Sequence, residues 1–594
     1  MGPLLSIAVF AFLLILPNGV LGNLNRFPRP SVQMSKTPKR QVTGIVNGTI
    51  QNLPPYETEY WFDQFIDHRN PALGKFKQRP SISQILVYTG GNLIRALLYV
   101  EDINSYSPKY YQPGGPIVLN SPPESNGEDF TGYITNLTLP GLIAQATNGA
   151  AILLEHRFFG QSNPFPDLKD SSLKYLTVEQ AIEDIVYFAN NVQLPMLGDQ
   201  VPPTKAPWIL IGGSYPGAIV SWLMTASKPG VFWAGYASSA SVQAINWYWS
   251  YWDIIRQYMP RNCSADVQKV ITHVDTTFTS GSPSEIQALK ETFGMGNVSH
   301  IDDVVTTLRG PLWSWQDLQP GRKNQAFFRF CDTLEVKDGV SAGPEGWGLD
   351  HALPLYGSYM KTYLSDLCGG SGLDDCLSSY MPEASTYTNT SVGNSWRSWN
   401  WLLCNELGFA QVGPPIGWPS IVTRLATPFY LMRQCPFYYP IAFPKPRHPT
   451  TWKINSKYGG WNVNVPRLFM SNGKREPGYF RDPWRGASTS SDFHPRKSTD
   501  LQPIVVYDGY HTTDMITGRG AVNEEVHAVQ QLGVAYMTKW VKEWQDKHPD
   551  AVKGGAVTVI DPATLPALPD FVPLVSLSDN PPPVARSEVF GPSQ

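Results

Sequence analysis

A serine lies at the junction of a predicted strand and a predicted helix, where its side chain could act as a nucleophile. The segment LIGGSYPGAIVSW (Leu210–Trp222) places Ser214 between an apolar run and a helical pattern. A serine hydroxyl attacks a carbonyl efficiently only when a base takes its proton, another group orients that base and donors stabilise the oxyanion. A tight turn between strand and helix exposes the hydroxyl and aims backbone N–H groups at the reacting carbonyl. The segment therefore predicts acyl transfer at Ser214, with an ordinary turn serine as the alternative.

The turn departs from the usual Gly-x-Ser-x-Gly pattern at its last position. Pro216 stands there, and Gly217 follows one residue later. Gly212 and Gly213 let the chain turn without Cβ clashes, and Gly217 allows close helix packing. Proline in the first turn of a helix costs little, because the N–H that it lacks has no partner there. We therefore expect the turn to work, provided that Tyr215 keeps the N–H that an oxyanion needs.

Two later segments offer the partners that a nucleophilic serine requires. Asp482 lies in SNGKREPGYFRDPW, and His511 lies in DGYHTTDM. Each segment follows a strand-like run, and α/β-hydrolases carry serine, acid and histidine in this chain order. We predict Asp482 as the orienting acid, His511 as the general base and the backbone N–H of Tyr215 as the main oxyanion donor. The alternative for His511 is a surface residue of a loop.

The apolar runs indicate the elements that position these residues. PIVLN (Pro116–Asn120), AAILLEHR (Ala150–Arg157) and PWILIGGS (Pro207–Ser214) are continuous apolar runs, and a helical pattern at Val178–Val192 separates the last two. Buried strands that alternate with amphipathic helices predict a parallel sheet in an α/β fold.

A segment of different character interrupts this pattern. Between residues 245 and 436 helical patterns dominate, and this segment holds all six cysteines: Cys263, Cys331, Cys368, Cys376, Cys404 and Cys435. In an oxidising compartment they predict three disulfides, whose pairing the sequence leaves open. Strand-like runs then return at Pro466–Gly473 and Pro503–His511, followed by a strongly amphipathic helix at Glu524–Trp544. The sequence thus predicts a helical, disulfide-containing cap inserted into a sheet domain.

The ends of the chain differ from its centre. The apolar run MGPLLSIAVFAFLLILPNGVLG predicts a secretory signal peptide cleaved near Gly22, and Lys39-Arg40 is either a processing site or a basic pair in a flexible arm. The predicted organisation is a signal peptide (1–22), a flexible arm or propeptide (23–55), the first part of an α/β-hydrolase domain (56–244), the cap (245–436), the second part of the domain (437–554) and a Pro-rich tail (555–594).

Glycosylation sequons support an extracellular location. Asn-x-Ser/Thr sequences begin at five positions, Asn47, Asn136, Asn262, Asn297 and Asn389. Together with the leader they predict a secreted glycoprotein, with a vacuolar or lysosome-like compartment as the alternative. No later apolar stretch is long enough to span a bilayer, so we predict no membrane anchor.

Composition excludes several classes of partner. The chain has 594 residues, a formal net charge of −3, 42% hydrophobic and 16% charged residues, which is typical of a globular protein. The absence of a basic stripe argues against a nucleic-acid partner. No cluster has metal-ligand spacing and no Gly-rich phosphate loop occurs, so we predict no metal and no cofactor. The oligomeric state stays open.

Four motifs in order give the sequence a specific resemblance. GGSYPGAIVSW, EHRFFGQS (Glu155–Ser162), WLLCNELGF (Trp401–Phe409) and DPW (Asp482–Trp484) together resemble the prolyl carboxypeptidase and dipeptidyl peptidase II family of serine peptidases. DPWRGASTSSDFHPR and the His-x-x-Asp-Met ending are most similar to fungal secreted prolyl peptidases. The likeness extends from about Tyr60 to Trp544. It implies an α/β-hydrolase that cleaves proline-containing peptides on the carboxyl side of proline, with Ser214, Asp482 and His511 as its triad.

Three departures from the family pattern bear on that assignment. Family members usually place the acid three residues after the glycine of Asn-Gly, where this chain has Glu476, and an apparent six-residue insertion moves Asp-Pro-Trp to Asp482. We favour Asp482 because Pro483 and Trp484 follow it, and Glu476 is the alternative acid. Thr512 stands where mammalian relatives often have a second histidine, which is the catalytic one; either His511 serves instead, as the resemblance to the fungal pattern implies, or the enzyme is impaired. The prolines of NSPPESNGED (Asn120–Asp129) remove possible oxyanion donors.

Two further residues are candidates for substrate binding. Glu124 matches a loop glutamate that could meet a substrate amine, with a surface carboxylate as the alternative. Trp484 could form a flat wall for a proline ring, with core packing as the alternative. EHRFFGQS is expected to be scaffold, with Arg157 paired to a nearby acid. Exo and endo action both remain open, as do an esterase or lipase on the same fold and an inactive hydrolase-fold glycoprotein that only binds.

Overall fold

A computed structural model describes most of the chain: residues 43–46, 49–52, 61–78, 80–82, 85–89, 92–96, 111–194, 201–226, 230–473, 482–491, 494–552 and 556–565. The predicted signal peptide, the Lys39-Arg40 pair, Asn47 and Glu476 lie outside these residues. Residues 566–594 of the predicted tail also lie outside them.

Seven strands form the central sheet. They are β1 (Pro80–Ile82), β2 (Ile117–Asn120), β3 (Ala150–Leu154), β4 (Trp208–Gly213), β5 (Ala234–Ser238), β6 (Leu468–Gly473) and β7 (Ile504–Tyr507). Their order is β1-β3-β2-β4-β5-β6-β7, with β1 antiparallel to β3 and all other neighbours parallel. This is the α/β-hydrolase arrangement, and it confirms the predicted fold class. Because parallel strands end at the same edge, the residues after β4, β6 and β7 meet there.

The strand sequences follow from burial on both faces. Every residue of β4 and β6 is buried, which explains their continuous apolar runs. The five strands predicted from such runs are confirmed within one or two residues at each end, except where β3 and β7 stop before the polar residues. β5 was not predicted, because its sequence AGYAS consists mostly of small residues.

Helices cover the sheet and build most of the insert. Those of eight residues or more are Leu139–Ala146, Val178–Asn191, Tyr215–Ala226, Ser250–Tyr258, Arg261–Ser280, Pro283–Thr292, Ile301–Leu308, Ala326–Glu335, Leu349–Cys368, Ser395–Leu402, Thr451–Tyr458 and Glu524–Lys547. The amphipathic patterns predicted at residues 178–192 and 524–544 are confirmed. Short 3-10 helices include Gly127–Ile134, Gly310–Trp315, Pro483–Ala487 and Thr513–Met515, and Leu403–Leu407 forms a π-helical turn.

Small strand pairs lie outside the central sheet. They are Thr43–Val46 with Thr49–Asn52, Phe62–Phe65 with Lys75–Gln78, Ile85–Thr89 with Asn92–Ala96, Ile245–Trp247 with Gly408–Ala410, and Val336–Lys337 with Val340–Ser341. The parallel pair of residues 245–247 and 408–410 joins the first residues of the predicted insert to a segment in its last third.

Two hydrophobic clusters flank the sheet. Ile209 and Ile211 of β4 contribute to one cluster, together with Val529 and Trp540 of the last long helix. Leu210 points to the other cluster, which continues without a break through the helices of the insert. The insert therefore shares its core with one face of the sheet, so that it is held rigidly above the strands.

Three disulfides pin the insert. They join Cys263 to Cys331, Cys368 to Cys376, and Cys404 to Cys435. Their number confirms the prediction, and their pairing resolves what the sequence left open. Within the described parts of the chain, no helix has both the length and the apolar character needed to cross a membrane.

Candidate active site

The nucleophile turn has a backbone conformation that serine adopts rarely. Ser214 follows β4 directly, has a φ of +64° and is 4% exposed. Its N–H donates to the carbonyl of Ser238, at 2.8 Å, at the end of the neighbouring strand β5. Residues held at positive φ persist only where surrounding contacts enforce the conformation, and they concentrate at functional sites. The turn is that of a nucleophile elbow.

The glycines around Ser214 are required by close approach of neighbouring atoms. A Cβ on Gly212 would lie 2.6 Å from the carbonyl carbon of Pro216, and one on Gly217 would lie 3.0 Å from the Gly212 oxygen. A Cβ on Gly213 would lie 2.9 Å from Cγ2 of Thr512. The last contact also shows that the turn after β7 packs directly against the nucleophile turn.

Tyr215 begins the helix Tyr215–Ala226, with Pro216 as the second helical residue. The first N–H groups of a helix have no carbonyl partner within it, so the Tyr215 N–H is available to an oxyanion. Two contacts fix the Tyr215 side chain. Its hydroxyl lies 3.1 Å from Nε2 of His156, and its ring packs on Trp399 at 5.2 Å.

His156 acts there as a neutral acceptor. Its Nδ1 lies 2.8 Å from the carbonyl oxygen of Arg157, which fixes a hydrogen on Nδ1 and leaves Nε2 to accept from the Tyr215 hydroxyl. Burial lowers the pKa of His156 to about 4. The EHRFFGQS segment thereby supports the first residue after the nucleophile.

The structure brings Asp482 and His511 together. Asp482 Oδ1 lies 2.9 Å from His511 Nδ1, and both side chains are buried. The same oxygen accepts the Trp484 N–H at 3.0 Å. Since His511 donates through Nδ1, its Nε2 carries a lone pair, and Nε2 has no hydrogen-bond partner among the described residues. Hydrogen bonds between nucleophile and base are often absent before substrate binds.

The acid loop returns to the end of its strand. β6 ends at Gly473, and the N–H of Asp482 donates to the Gly473 carbonyl at 3.4 Å. Asp482 therefore follows β6 directly in space, although eight residues separate the two in sequence. Glu476, the alternative acid, lies within those eight residues and outside the described structure.

Glu124 is a buried carboxyl group. It is 4% exposed, so the surface alternative is wrong. Burial raises the pKa of Glu124 to about 7, and its Oε2 has no partner among the described residues. The side chains of Asn120 and Ser121, at the end of β2, also have buried polar atoms without partners there. The Ser121 N–H donates to the Ile211 carbonyl at 2.6 Å, which places this segment beside the strand of the nucleophile.

Trp484 belongs to an aromatic cluster and also flanks the histidine. Its ring packs at 5.3–5.6 Å on Tyr248, Tyr251 and Phe409, and lies 6.1 Å from the His511 ring. Its Nε1 donates to Gln316 Oε1 at 2.7 Å. Gln316, which sequence reasoning missed, thus fixes the orientation of the indole from the insert.

The predicted pairing of Arg157 is confirmed. Its guanidinium contacts both carboxylate oxygens of Asp184, at 2.7 and 2.5 Å, and is fully buried. Among the described residues, no group of three or more His, Cys, Asp or Glu side chains is arranged to hold a metal ion.

The four described sequons differ in accessibility. Asn297 and Asn389 are exposed. Asn136 and Asn262 are half-buried, and their Nδ2 atoms donate to Gln145 at 3.2 Å and to Ser341 at 3.1 Å. A glycan at either of the latter two positions would have to replace that hydrogen bond.

Comparisons with known proteins show which family the chain resembles. A family model described as Serine carboxypeptidase S28 matches residues 105–303 and 369–532. The chain is 35% identical over 506 residues to "Serine protease vicPa" of Bipolaris victoriae, covering 81% of this chain and 88% of that protein. It is 27% identical over 474 residues to "Probable extracellular serine carboxypeptidase" of Arthroderma benhamiae, covering 75% of this chain and 64% of that protein.

Proposed function

The chain belongs to the serine carboxypeptidase S28 family, and we propose that it hydrolyses peptide bonds on the carboxyl side of proline through Ser214, Asp482 and His511. It is a serine peptidase by family; the triad and the proline preference are the proposal. The observation that supports it most is the 2.9 Å contact of His511 Nδ1 with Asp482, together with an Nε2 that has no hydrogen-bond partner among the described residues.

The mechanism follows from the protonation states of these groups. Nε2 of His511 takes the proton of the Ser214 hydroxyl as its oxygen attacks the carbonyl carbon of the proline residue. The Tyr215 N–H donates to the oxyanion. His511 then protonates the leaving amine, and a water molecule repeats the cycle on the acyl-enzyme. Asp482 keeps the hydrogen of His511 on Nδ1 and stabilises the imidazolium.

Trp484 is the proposed wall for the proline ring. A flat indole suits a rigid apolar ring, and this one is fixed by Gln316 and by the acid loop. Its ring lies 6.1 Å from the His511 ring, which supports a position next to the bond that would be cleaved.

Glu124 is the proposed partner of a free amine at the substrate's N-terminus. Its carboxyl group is buried and has an oxygen without a partner, next to Asn120 and Ser121, whose side chains share that property. A bound ammonium group would favour the ionised carboxylate, since an opposite charge nearby offsets the cost of burial.

An extracellular location fits the disulfides, the predicted signal peptide and the exposed sequons at Asn297 and Asn389. One relative is named as probably extracellular. We propose secretion on these grounds; nothing in the structure favours a vacuolar compartment.

Hydrolysis of a peptide series Xaa-Yaa-Pro-Zaa tests the proposal. Each peptide is supplied with free and with blocked termini, and wild type is compared with Ser214→Ala. We expect cleavage after proline by the wild type and none by the variant, while the tolerated termini define exo or endo action. Cleavage of lipid esters without any cleavage after proline would replace the proposal with an esterase. Failure of a fluorophosphonate to label Ser214 would replace it with an inactive binding protein.

A further inference from the structure

Two consecutive serines connect the nucleophile turn with the histidine turn. Ser238 ends β5, and its carbonyl accepts the Ser214 N–H at 2.8 Å. The hydroxyl of Ser239 accepts the Thr512 N–H at 2.9 Å, one residue after His511. The N–H of Ser239 in turn donates to the Ser471 carbonyl on β6, at 2.7 Å. The dipeptide Ser238-Ser239 therefore contacts the backbone of the turn that carries Ser214 and the backbone of the turn that carries His511.

A buried carboxylate, that of Asp514, links the histidine turn to the strands of the sheet. Asp514 lies three residues after His511 and is fully buried. It accepts four hydroxyl hydrogen bonds, from Tyr236 at 2.6 Å, Ser238 at 2.5 Å, Ser471 at 2.6 Å and Tyr507 at 2.8 Å. No Lys, Arg or His side chain pairs with it among the described residues. Hydrogen bonds to a charged acceptor are about twice as strong as neutral ones.

The donors to Asp514 come from three adjacent strands, β5, β6 and β7. Ser238 has two contacts in this arrangement, since its hydroxyl bonds Asp514 while its carbonyl bonds the nucleophile turn. Asp514 and Ser239 thus tie the histidine turn to the sheet at the point where Ser214 is also attached.

The turn needs such support. Thr512 has a φ of +50°, which is unfavourable for a β-branched residue. Among the described residues the His511 ring has one side-chain hydrogen bond, to Asp482, and it lies beside the Trp484 ring, so the backbone of this turn contributes to its position. A displacement of about 1 Å in a catalytic group can cost roughly a hundredfold in rate.

We propose that Ser239 and Asp514 are positioning residues, which set the distance between His511 Nε2 and the Ser214 hydroxyl. They touch neither substrate nor the reacting atoms, and they act through the backbone around His511. This inference rests on the proposed triad and adds two residues to which neither motif matching nor the triad itself gives a role.

Ser239→Ala is the first test. It removes the acceptor of the Thr512 N–H, and we expect kcat for an amide substrate to fall about tenfold with KM unchanged. The fall should be smaller for an activated ester, because that leaving group needs no proton from His511. Ser221→Ala is the matched control, since Ser221 is equally buried and its hydroxyl bonds only the Gly217 carbonyl of its own helix, at 2.9 Å. The control should keep wild-type kcat.

A double-variant comparison separates positioning from general destabilisation. In a His511→Ala background, Ser239→Ala and Asp514→Asn should cause no further loss in the rate of fluorophosphonate labelling, because the group that they position is gone. Equal losses in both backgrounds, or an unchanged kcat for Ser239→Ala in an active wild type, would overturn the inference. A wild type that does not cleave after proline would instead contradict the proposed function.

Discussion

Two segments at the carboxyl edge of the sheet differ in how their polar atoms are used. In the histidine turn, residues 508–516, the one buried side-chain nitrogen or oxygen without a partner among the described residues is His511 Nε2. In the segment from Asn120 to Glu124, four such atoms lack partners: both amide atoms of Asn120, Ser121 Oγ and Glu124 Oε2. Both segments are buried and flank the nucleophile.

The difference assigns different tasks to the two segments. A buried polar atom without a protein partner costs about 1–3 kcal/mol, and a water molecule or a ligand that supplies the missing hydrogen bond offsets that cost. In the proposed mechanism, the hydrogen bonds of the histidine turn fix the one nitrogen that accepts a proton. The segment after β2 leaves its polar atoms free within the described structure, which is what binding a polar part of the substrate requires.

The largest expected effect is at the acid. Asp482→Asn keeps the size of the side chain but no longer holds the hydrogen of His511 on Nδ1, so kcat should fall on the order of 10⁴-fold. Glu476→Gln should leave kcat near the wild-type value. Steady-state kinetics of the two variants on one post-proline substrate make the comparison. The reverse pattern would make Glu476 the triad acid.

Breaking the buried ion pair of Arg157 with Asp184 should lower the stability of the protein more than it lowers activity. Arg157→Met leaves the buried Asp184 carboxylate with His68 Nε2, at 2.8 Å, but without its guanidinium, and we expect a loss of about 3 kcal/mol in the free energy of unfolding. Arg69→Met is the control, because the pair of Arg69 with Glu179 is exposed at the arginine and should contribute less than about 1 kcal/mol. Denaturant unfolding measures both. Equal losses in the two variants would mean that burial does not increase the contribution of the Arg157 ion pair to stability.

The sequence predicts the parts of the fold that rest on local pattern. Strands buried on both faces produced continuous apolar runs, and the helix Glu524–Lys547 showed its period. β5 escaped because Ala234, Gly235 and Ala237 carry little apolar signal. Asp482 was assigned from its neighbours, but its return to the end of β6 depends on a contact with Gly473 that no local pattern encodes.

The supports of the site were hidden for a related reason. Asp514 stands in a quoted motif, yet its role depends on hydroxyls from three strands, two of which lie more than forty residues before it. Whether the side-chain atoms of Asn120 and Ser121 have hydrogen-bond partners likewise depends on their neighbours in the folded protein. Chemistry-bearing residue types can be found in sequence, whereas the satisfaction of their hydrogen bonds is decided by tertiary structure.

Removing a buried hydroxyl without a partner should raise the stability of the protein, whereas removing a hydrogen-bonded hydroxyl should lower it. Ser121→Ala deletes a buried oxygen without a partner, so the protein should become more stable by about 1 kcal/mol while kcat/KM falls. Ser162→Ala, the matched control, removes a hydroxyl that donates to Glu155 at 2.7 Å and should destabilise by about 1–2 kcal/mol. Thermal unfolding at one pH distinguishes them. A destabilised Ser121→Ala would place that hydroxyl among the structural groups.

The last prediction concerns how the stability of Glu124→Gln depends on pH. Burial raises the pKa of Glu124 from its ordinary 4.5 to about 7 in the folded protein. Between these values the folded state holds a proton that the unfolded state has released, so this group lowers stability as pH rises through that window. Glutamine does not titrate, and the free energy of unfolding of the variant should therefore rise relative to that of the wild type from pH 4.5 to pH 7, by up to about 3 kcal/mol.

Thermal unfolding across that window tests the sign. Glu335 and Glu406 also have a pKa raised by burial to about 7, but they are present in both proteins and cancel in the difference. The same variant should raise KM for peptides with a free amine and leave N-blocked peptides unchanged. A stability gain without that change in KM would mean that Glu124 does not contact the substrate. Within the segment from Asn120 to Glu124, only Asn120 and Ser121 would then remain as candidates for binding it.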